Sequence, residues 1–182
     1  MLKQEQVESA RRRAREYLAK AGITLTAAES ANIEVADFGL GELEATGLQL
    51  ITYVNTERVC AKELILFPRQ TCPEHRHPSI NGEAGKEETF RCRWGEVYLY
   101  IEGDAVSREA AKARPPFGRE HTYTVWHEIT LVPGEQHTIP ANMLHWFQAG
   151  PEGAVVSEFS TRSRDEYDLF TDQEIQRLPV IG

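Results

Sequence analysis

Four side chains of metal-ligand type stand out, divided between two short stretches: His75, His77 and Glu88 in the first, His145 in the second. On an extended segment, side chains at i and i+2 share a face, so His75 and His77 can aim two imidazoles at one point. A carboxylate from a following strand and a third imidazole from a distant hairpin would complete a three-nitrogen, one-oxygen set. On an octahedral ion that set leaves positions open, as catalysis requires. Zn, Fe, Co, Ni and Mn all tolerate imidazole, and the carboxylate and water positions favour a harder ion, so the ligand types alone do not choose. Each fragment by itself is an ordinary surface or core pattern, and the conjunction carries the reading.

The local settings are specific. Glu88 is followed after six residues by Gly95, and Gly134 is followed after five residues by Pro140, Ala141, Asn142, Met143, Leu144 and His145. These paired motifs resemble those of the cupin superfamily, which implies an all-β fold: a cupin-type β-barrel (double-stranded β-helix, jelly roll). One departure is the ten-residue gap between His77 and Glu88, which predicts a loop through Asn81, Gly82 and Gly85 at the barrel mouth. His137 is the rival for the last ligand, with Pro140 and Asn142 favouring His145; His121 and His127 stay outside the set. Cys72 opens a minor alternative, a zinc site with His75 and His77, but no second Cys pair at zinc-finger spacing accompanies it.

A chain of 182 residues, 41% apolar, is sized for one domain. The expected division is a helix over 1–22, a barrel over about 33–160 and a C-terminal extension over 161–182. In the first segment Val7, Ala10, Ala14, Tyr17 and Leu18 recur at helical spacing against Arg11, Arg12, Arg15 and Glu16, predicting an amphipathic helix that ends at Gly22 and packs on the barrel or on a partner subunit. A short helical turn follows over 27–31. Short strands between Gly, Pro and Asn turns are predicted over 48–54, 59–66, 88–93, 96–101, 123–126, 129–132, 136–139, 145–148 and 154–159. Residues 107–120, with Pro115, Pro116 and Gly118, read as a loop, and 172–178 as a short helix. In the strand over 96–101, Val97, Leu99 and Ile101 face one side. Tyr98 and Tyr100 face the other, either lining a cavity or packing against the first helix.

The net charge of −8 and the lack of a basic patch beyond Arg11, Arg12 and Arg13 argue against a nucleic-acid partner. No apolar run reaches the roughly 20 residues a membrane helix needs. Three cysteines without a secretory signal point to the cytoplasm rather than to a disulfide framework. A homodimer is the expected assembly, from the first helix and the habit of small cupins to pair.

The stretches GLQLITYVNTERVCAKELILFPRQTCPEHRHP, GKEETFRCRWGEVYLY, EHTYTVWHEITLVPGEQHTIPANMLHWFQAG and DLFTD resemble the bacterial D-lyxose isomerases over nearly the whole chain. That resemblance implies interconversion of D-lyxose and D-xylulose with a divalent ion, commonly manganese, and in some members action on D-mannose. A small aldose or ketose is then the substrate. Moving a proton between adjacent carbons needs a base, and Glu158, on the strand after His145, is the leading candidate, with Asp168 second. Lys86, two residues before Glu88, and Lys62, set in an apolar strand, are placed to offset enediolate charge. Glu74 and Arg76 are expected to fix an imidazole tautomer, and Trp146 and Phe147 to form an apolar wall. A ferrous cupin dioxygenase, a non-catalytic sugar-binding cupin and a nucleotide-sugar epimerase are the competing readings.

Overall fold

The computed structural model describes residues 2–178; the last four residues of the expected extension lie outside them. Helix α1 (Gln4–Lys20) buries Val7, Ala10, Ala14 and Leu18 along one stripe. It closes at Gly22, whose φ of +72° suits a left-handed terminator, while the Ile23 amide donates to the Leu18 carbonyl at 2.9 Å. Helix α2 (Ala27–Ala31) starts at a capping box between Thr26 and Glu29.

Nine strands follow: β1 (Glu34–Ala36), β2 (Leu48–Asn55), β3 (Cys60–Leu66), β4 (Thr71–Arg76), β5 (Glu88–Ile101), β6 (His127–Leu131), β7 (Gln136–Ile139), β8 (His145–Ser160) and β9 (Leu169–Phe170). The pairs predicted over 88–93 and 96–101, and over 145–148 and 154–159, are each one long bent strand. β5 and β8 pair antiparallel from Glu88 opposite Ser160 to Ile101 opposite His145, with register shifts between Cys92 and Trp94 and between Gly95 and Val97. Both strands serve two sheets. One side runs β1-β2-β3-β8-β5-β7 and the other β9-β4-β8-β5-β6, giving the curled, mostly β architecture of a cupin-type barrel.

Gly95 makes the bend possible. Its φ is +69°, and a Cβ there would sit 2.0 Å from the Gly153 carbonyl oxygen. The glycine that reads as a turn signal is a bulge through which the ladder continues.

Alternation along the strands turns Leu64, Phe90, Val97, Leu99, Phe147 and Val156 into the barrel core. The outer faces have two covers. α1 lies on the first side, with Ala14 and Leu18 against Ile51, Ile65 and Val155. Arg11, expected to be solvated, donates to the Ile33 carbonyl, and Arg13 stacks 3.7 Å over Phe67. On the other side, Tyr98 and Tyr100 neither line a cavity nor touch α1. They lie under the 107–126 excursion, where Tyr100 stacks on Trp146 at 4.1 Å with Tyr123 and Trp126 around them. Trp146 is thereby removed from the cavity wall expected for it.

Two local expectations fail for one reason: acceptors outside the local pattern capture the backbone amides. Residues 123–126 form no strand, because the Thr124 and Val125 amides donate to the buried Glu74 carboxylate at 2.6 and 3.0 Å. Residues 172–178 form turns rather than a helix. There the Glu174 amide donates to Asp172 and the Gln176 amide to the Phe38 carbonyl, at 2.8 Å for the latter. Among the described residues no helix is long and apolar enough to cross a membrane.

Replacing Gly95 by Ala forces backbone apart at the bend and is expected to destabilise the fold by about 2–4 kcal/mol. Urea denaturation measures it, and a loss below about 1 kcal/mol would show that the bend does not depend on this close approach.

Candidate active site

His75 lies on β4 opposite His145, the first residue of β8; His77 follows the end of β4, and Glu88 is the first residue of β5. The second motif reaches them through a turn over 140–143 in which Asn142 takes φ +62° and its amide donates to the His77 carbonyl at 3.1 Å. One hydrogen bond thus joins the two motifs directly. The four side chains are buried, and a donor atom from each lies within 4.8 Å of the others. His121, His127, His137 and Cys72 are outside this group. Cys72 borders the same cavity, but burial pushes its thiol well above the usual range and leaves it a poor ligand.

Each imidazole is oriented through Nδ1. His75 donates to the Pro73 carbonyl at 2.7 Å, His145 to the Met143 carbonyl at 2.9 Å, and His77 to Asp168 Oδ1 at 2.5 Å. His75 and His145 then turn Nε2 lone pairs inward, while His77 Nε2 lies within hydrogen-bond reach of Glu88 Oε1 at 3.2 Å. His145 Nε2 is buried 2.9 Å from Glu88 Oε1, yet the alignment makes no hydrogen bond and the nitrogen has no other partner. A buried imidazole nitrogen left without a partner beside a carboxylate is what a divalent cation would resolve, and the N3O donor set fits one.

Burial pushes His75 well below its usual pKa, with His145 and His77 adding to the shift. At His77 burial and Lys86 oppose charge, but Glu88 and Asp168 outweigh them and leave it at about 9. Burial also opposes charge on Glu88, which Lys86 and His77 nevertheless hold well below the usual carboxylate range.

From Glu88 a line of alternating charges runs along the cavity. Lys86 Nζ lies 2.7 Å from Glu88 Oε2 and 3.0 Å from Glu158 Oε1. Glu158 on β8 is opposite Lys62 on β3. Lys62 donates at 2.8 Å to both Ser163 and Asp165, and Arg177 bridges Asp165 at 3.0 Å and Glu34 at 2.7 Å. Burial works against charge on Asp165, but Lys62, Lys86 and Arg177 hold its carboxyl well below the usual range. The cleft is walled by Phe38, Leu48, Leu50, Phe90, Phe147 and Phe170 among others.

The candidates from sequence therefore separate. Glu158, Lys86 and Lys62 face the cavity, buried rather than reaching solvent. Asp168 does not stand alone as an acid: it holds the His77 ring. Glu74 orients no imidazole and instead ties β4 to residues 124, 125 and 171. The loop between His77 and Glu88 turns at Asn81 and Gly82 and pairs with the post-β8 segment through Glu83 and Arg164. Asp165 and Arg177 escaped the sequence reading. Their only signal is a polar run after β8, indistinguishable from a solvated tail.

Comparison with known proteins places this geometry. The family model described as D-lyxose isomerase matches residues 23–182. The D-lyxose/D-mannose isomerase of Thermosediminibacter oceani is 63% identical over 181 residues, covering 100% of this chain and 99% of that one. The D-lyxose ketol-isomerase of Cohnella laeviribosi is 61% identical over 172 residues, covering 94% and 93%. Among solved structures, the L-ribose isomerase of Cellulomonas parahominis superposes with a TM-score of 0.82 at 17% identity, over 100% of this chain and 98% of that one. That likeness extends to the fold.

Asp168→Asn is expected to weaken Mn²⁺ binding about 10- to 100-fold by freeing the His77 ring, and His145→Ala to abolish it. Isothermal titration calorimetry without sugar measures both, and an Asp168→Asn affinity within about twofold of wild type would detach Asp168 from the ligand set.

Proposed function

Because the chain belongs to the D-lyxose isomerase family and is a sugar isomerase, we propose that it interconverts D-lyxose and D-xylulose, with D-mannose and D-fructose as a second pair. The observation that carries the chemistry is Glu158: a buried carboxylate, held by Lys86, in the same cavity as the four-ligand group.

Aldose–ketose interconversion moves one proton between C1 and C2 through a cis-enediol. Glu158 takes the proton from C2 on one face and returns it to C1 on the same face, and in reverse for the ketose. Lys86 fixes the Glu158 carboxylate and places positive charge beside the oxygen that becomes anionic. His75, His77, Glu88 and His145 would hold a divalent ion, for which manganese is our assignment; when bound, it supplies Lewis-acid polarisation of the carbonyl. Asp168 keeps His77 in the tautomer that presents Nε2. Phe147, Phe90 and Phe170 limit water around the enediol and pack the sugar's C–H face. The reading includes a cytoplasmic homodimer; three buried, unpaired cysteines fit a reducing compartment.

The decisive experiment assays ketose formation from a panel of aldoses with added Mn²⁺. D-lyxose is expected to lead the panel, and a panel without ketose would sink the reading. Glu158→Gln should lower kcat by about 10²- to 10⁴-fold while calorimetric Mn²⁺ affinity stays near wild type, whereas near-native turnover would remove Glu158 from its role. Chelation should abolish turnover and lower Tm, and restoring Mn²⁺ should recover both.

A further inference from the structure

The isomerase reading gives tasks to Glu158 and Lys86 and leaves part of the cavity wall without one. Beyond Glu158, the wall carries Lys62, Asp165 and Arg177, linked by contacts of 2.8 and 3.0 Å. Arg177 comes from the last described turn of the chain, and its side chain is only 12% exposed. A buried arginine at the rim of a small-ligand cleft is costly unless its donors are used. Here Glu34 holds Nη1 and Asp165 holds Nη2, which fixes the guanidinium plane. Each nitrogen carries two N–H groups, so one carboxylate contact apiece leaves donors over.

We propose that Arg177, with Asp165 and Lys62, is a distal subsite that binds the hydroxyls of the open-chain sugar farthest from C1 and C2, and so sets how many carbons the cavity accepts. The proposal rests on the isomerase reading and extends it to the other end of the substrate. Three features support it. The same cleft is lined by His75, His77 and Glu88 and by Asp165 and Arg177, so a bound chain anchored at the histidines points its tail along the charged line. The groups alternate between cationic donor and anionic acceptor, and a hydroxyl both donates and accepts, so each distal hydroxyl can bridge one neighbouring pair. The same cleft also has an apolar stretch of wall, with Phe38, Leu48 and Leu50, which matches the C–H edge of an extended polyol. The Arg177 segment is also pinned by the Gln176 amide on the Phe38 carbonyl at 2.8 Å, so polar stripe and apolar wall are held in one geometry.

The test measures kcat and KM for wild type, Arg177→Ala and Arg177→Gln with Mn²⁺ on three aldoses of matched configuration at C2 and C3: L-erythrose, D-lyxose and D-mannose. Mn²⁺ affinity without sugar and Tm are recorded alongside. The subsite predicts that both variants lose about 10- to 100-fold in kcat/KM on D-lyxose and D-mannose, chiefly through KM. If Arg177 binds only the distal hydroxyls, both variants should stay within about threefold of wild type on the four-carbon sugar, and Mn²⁺ affinity should not change. An equal loss on all three sugars, or a loss of Mn²⁺ binding, would make Arg177 a purely structural brace and overturn the proposal. So would unchanged kinetics. Failure of the wild type to turn over any aldose would instead take down the isomerase reading, and the subsite with it.

Discussion

Ions inside a β-barrel survive only in company. Each charge moved out of water costs several kcal/mol, recovered only when opposite charges and aligned donors surround it. In this chain Glu88, Lys86, Glu158, Lys62, Asp165, Arg177 and Glu34 satisfy that condition as a line, each beside a group of opposite sign. Removing one member strands its neighbours, so the barrel interior tolerates these residues only as a set. The same arrangement holds the groups as oriented donors and acceptors along the cavity wall.

The barrel supplies that line through two strands. β5 and β8 span both sheets, and between them they carry Glu88, His145 and Glu158 on inward-facing positions. The covers outside, α1 on one side and the 107–126 excursion on the other, bury the outward positions of the same strands, including Val155 and Trp146. Site and scaffold are therefore two faces of one pair of strands. Polar side chains turned outward perform the remaining joinery: Glu74 gathers residues 124, 125 and 171 onto β4, close to the histidines without touching them.

Much of this was readable from residue types and spacing, and what was not has physical causes. The His75, His77, Glu88 and His145 group was legible because strand alternation fixes which residues share a face, and because Gly95, Pro140 and Asn142 mark turns with definite backbone demands. α1 was legible from its period. Strand continuity was not, since Gly95 reads as an end, whereas a bulge lets the ladder run on. Residues 123–126 and 172–178 misled because their local pattern gives no hint that Glu74, Asp172 and Phe38 claim the amides. Glu158 and Lys86 were found through chemistry sought near the ligands. Asp165 and Arg177 were missed because their burial is created by tertiary contacts, Ser163 with Asn55 and Gln176 with Phe38, that no short-range signal reports.

The bond from the Asn142 amide to the His77 carbonyl ties stretches of chain that lie far apart in sequence. Closing so large a loop is entropically slow, and contacts of this kind are among the last that a folding chain can make. The four side chains converge only where the barrel closes, so an ion held by them would bind the closed barrel in preference to an open one. Such an ion would act as a clasp on the finished topology, favouring it over any open form by mass action.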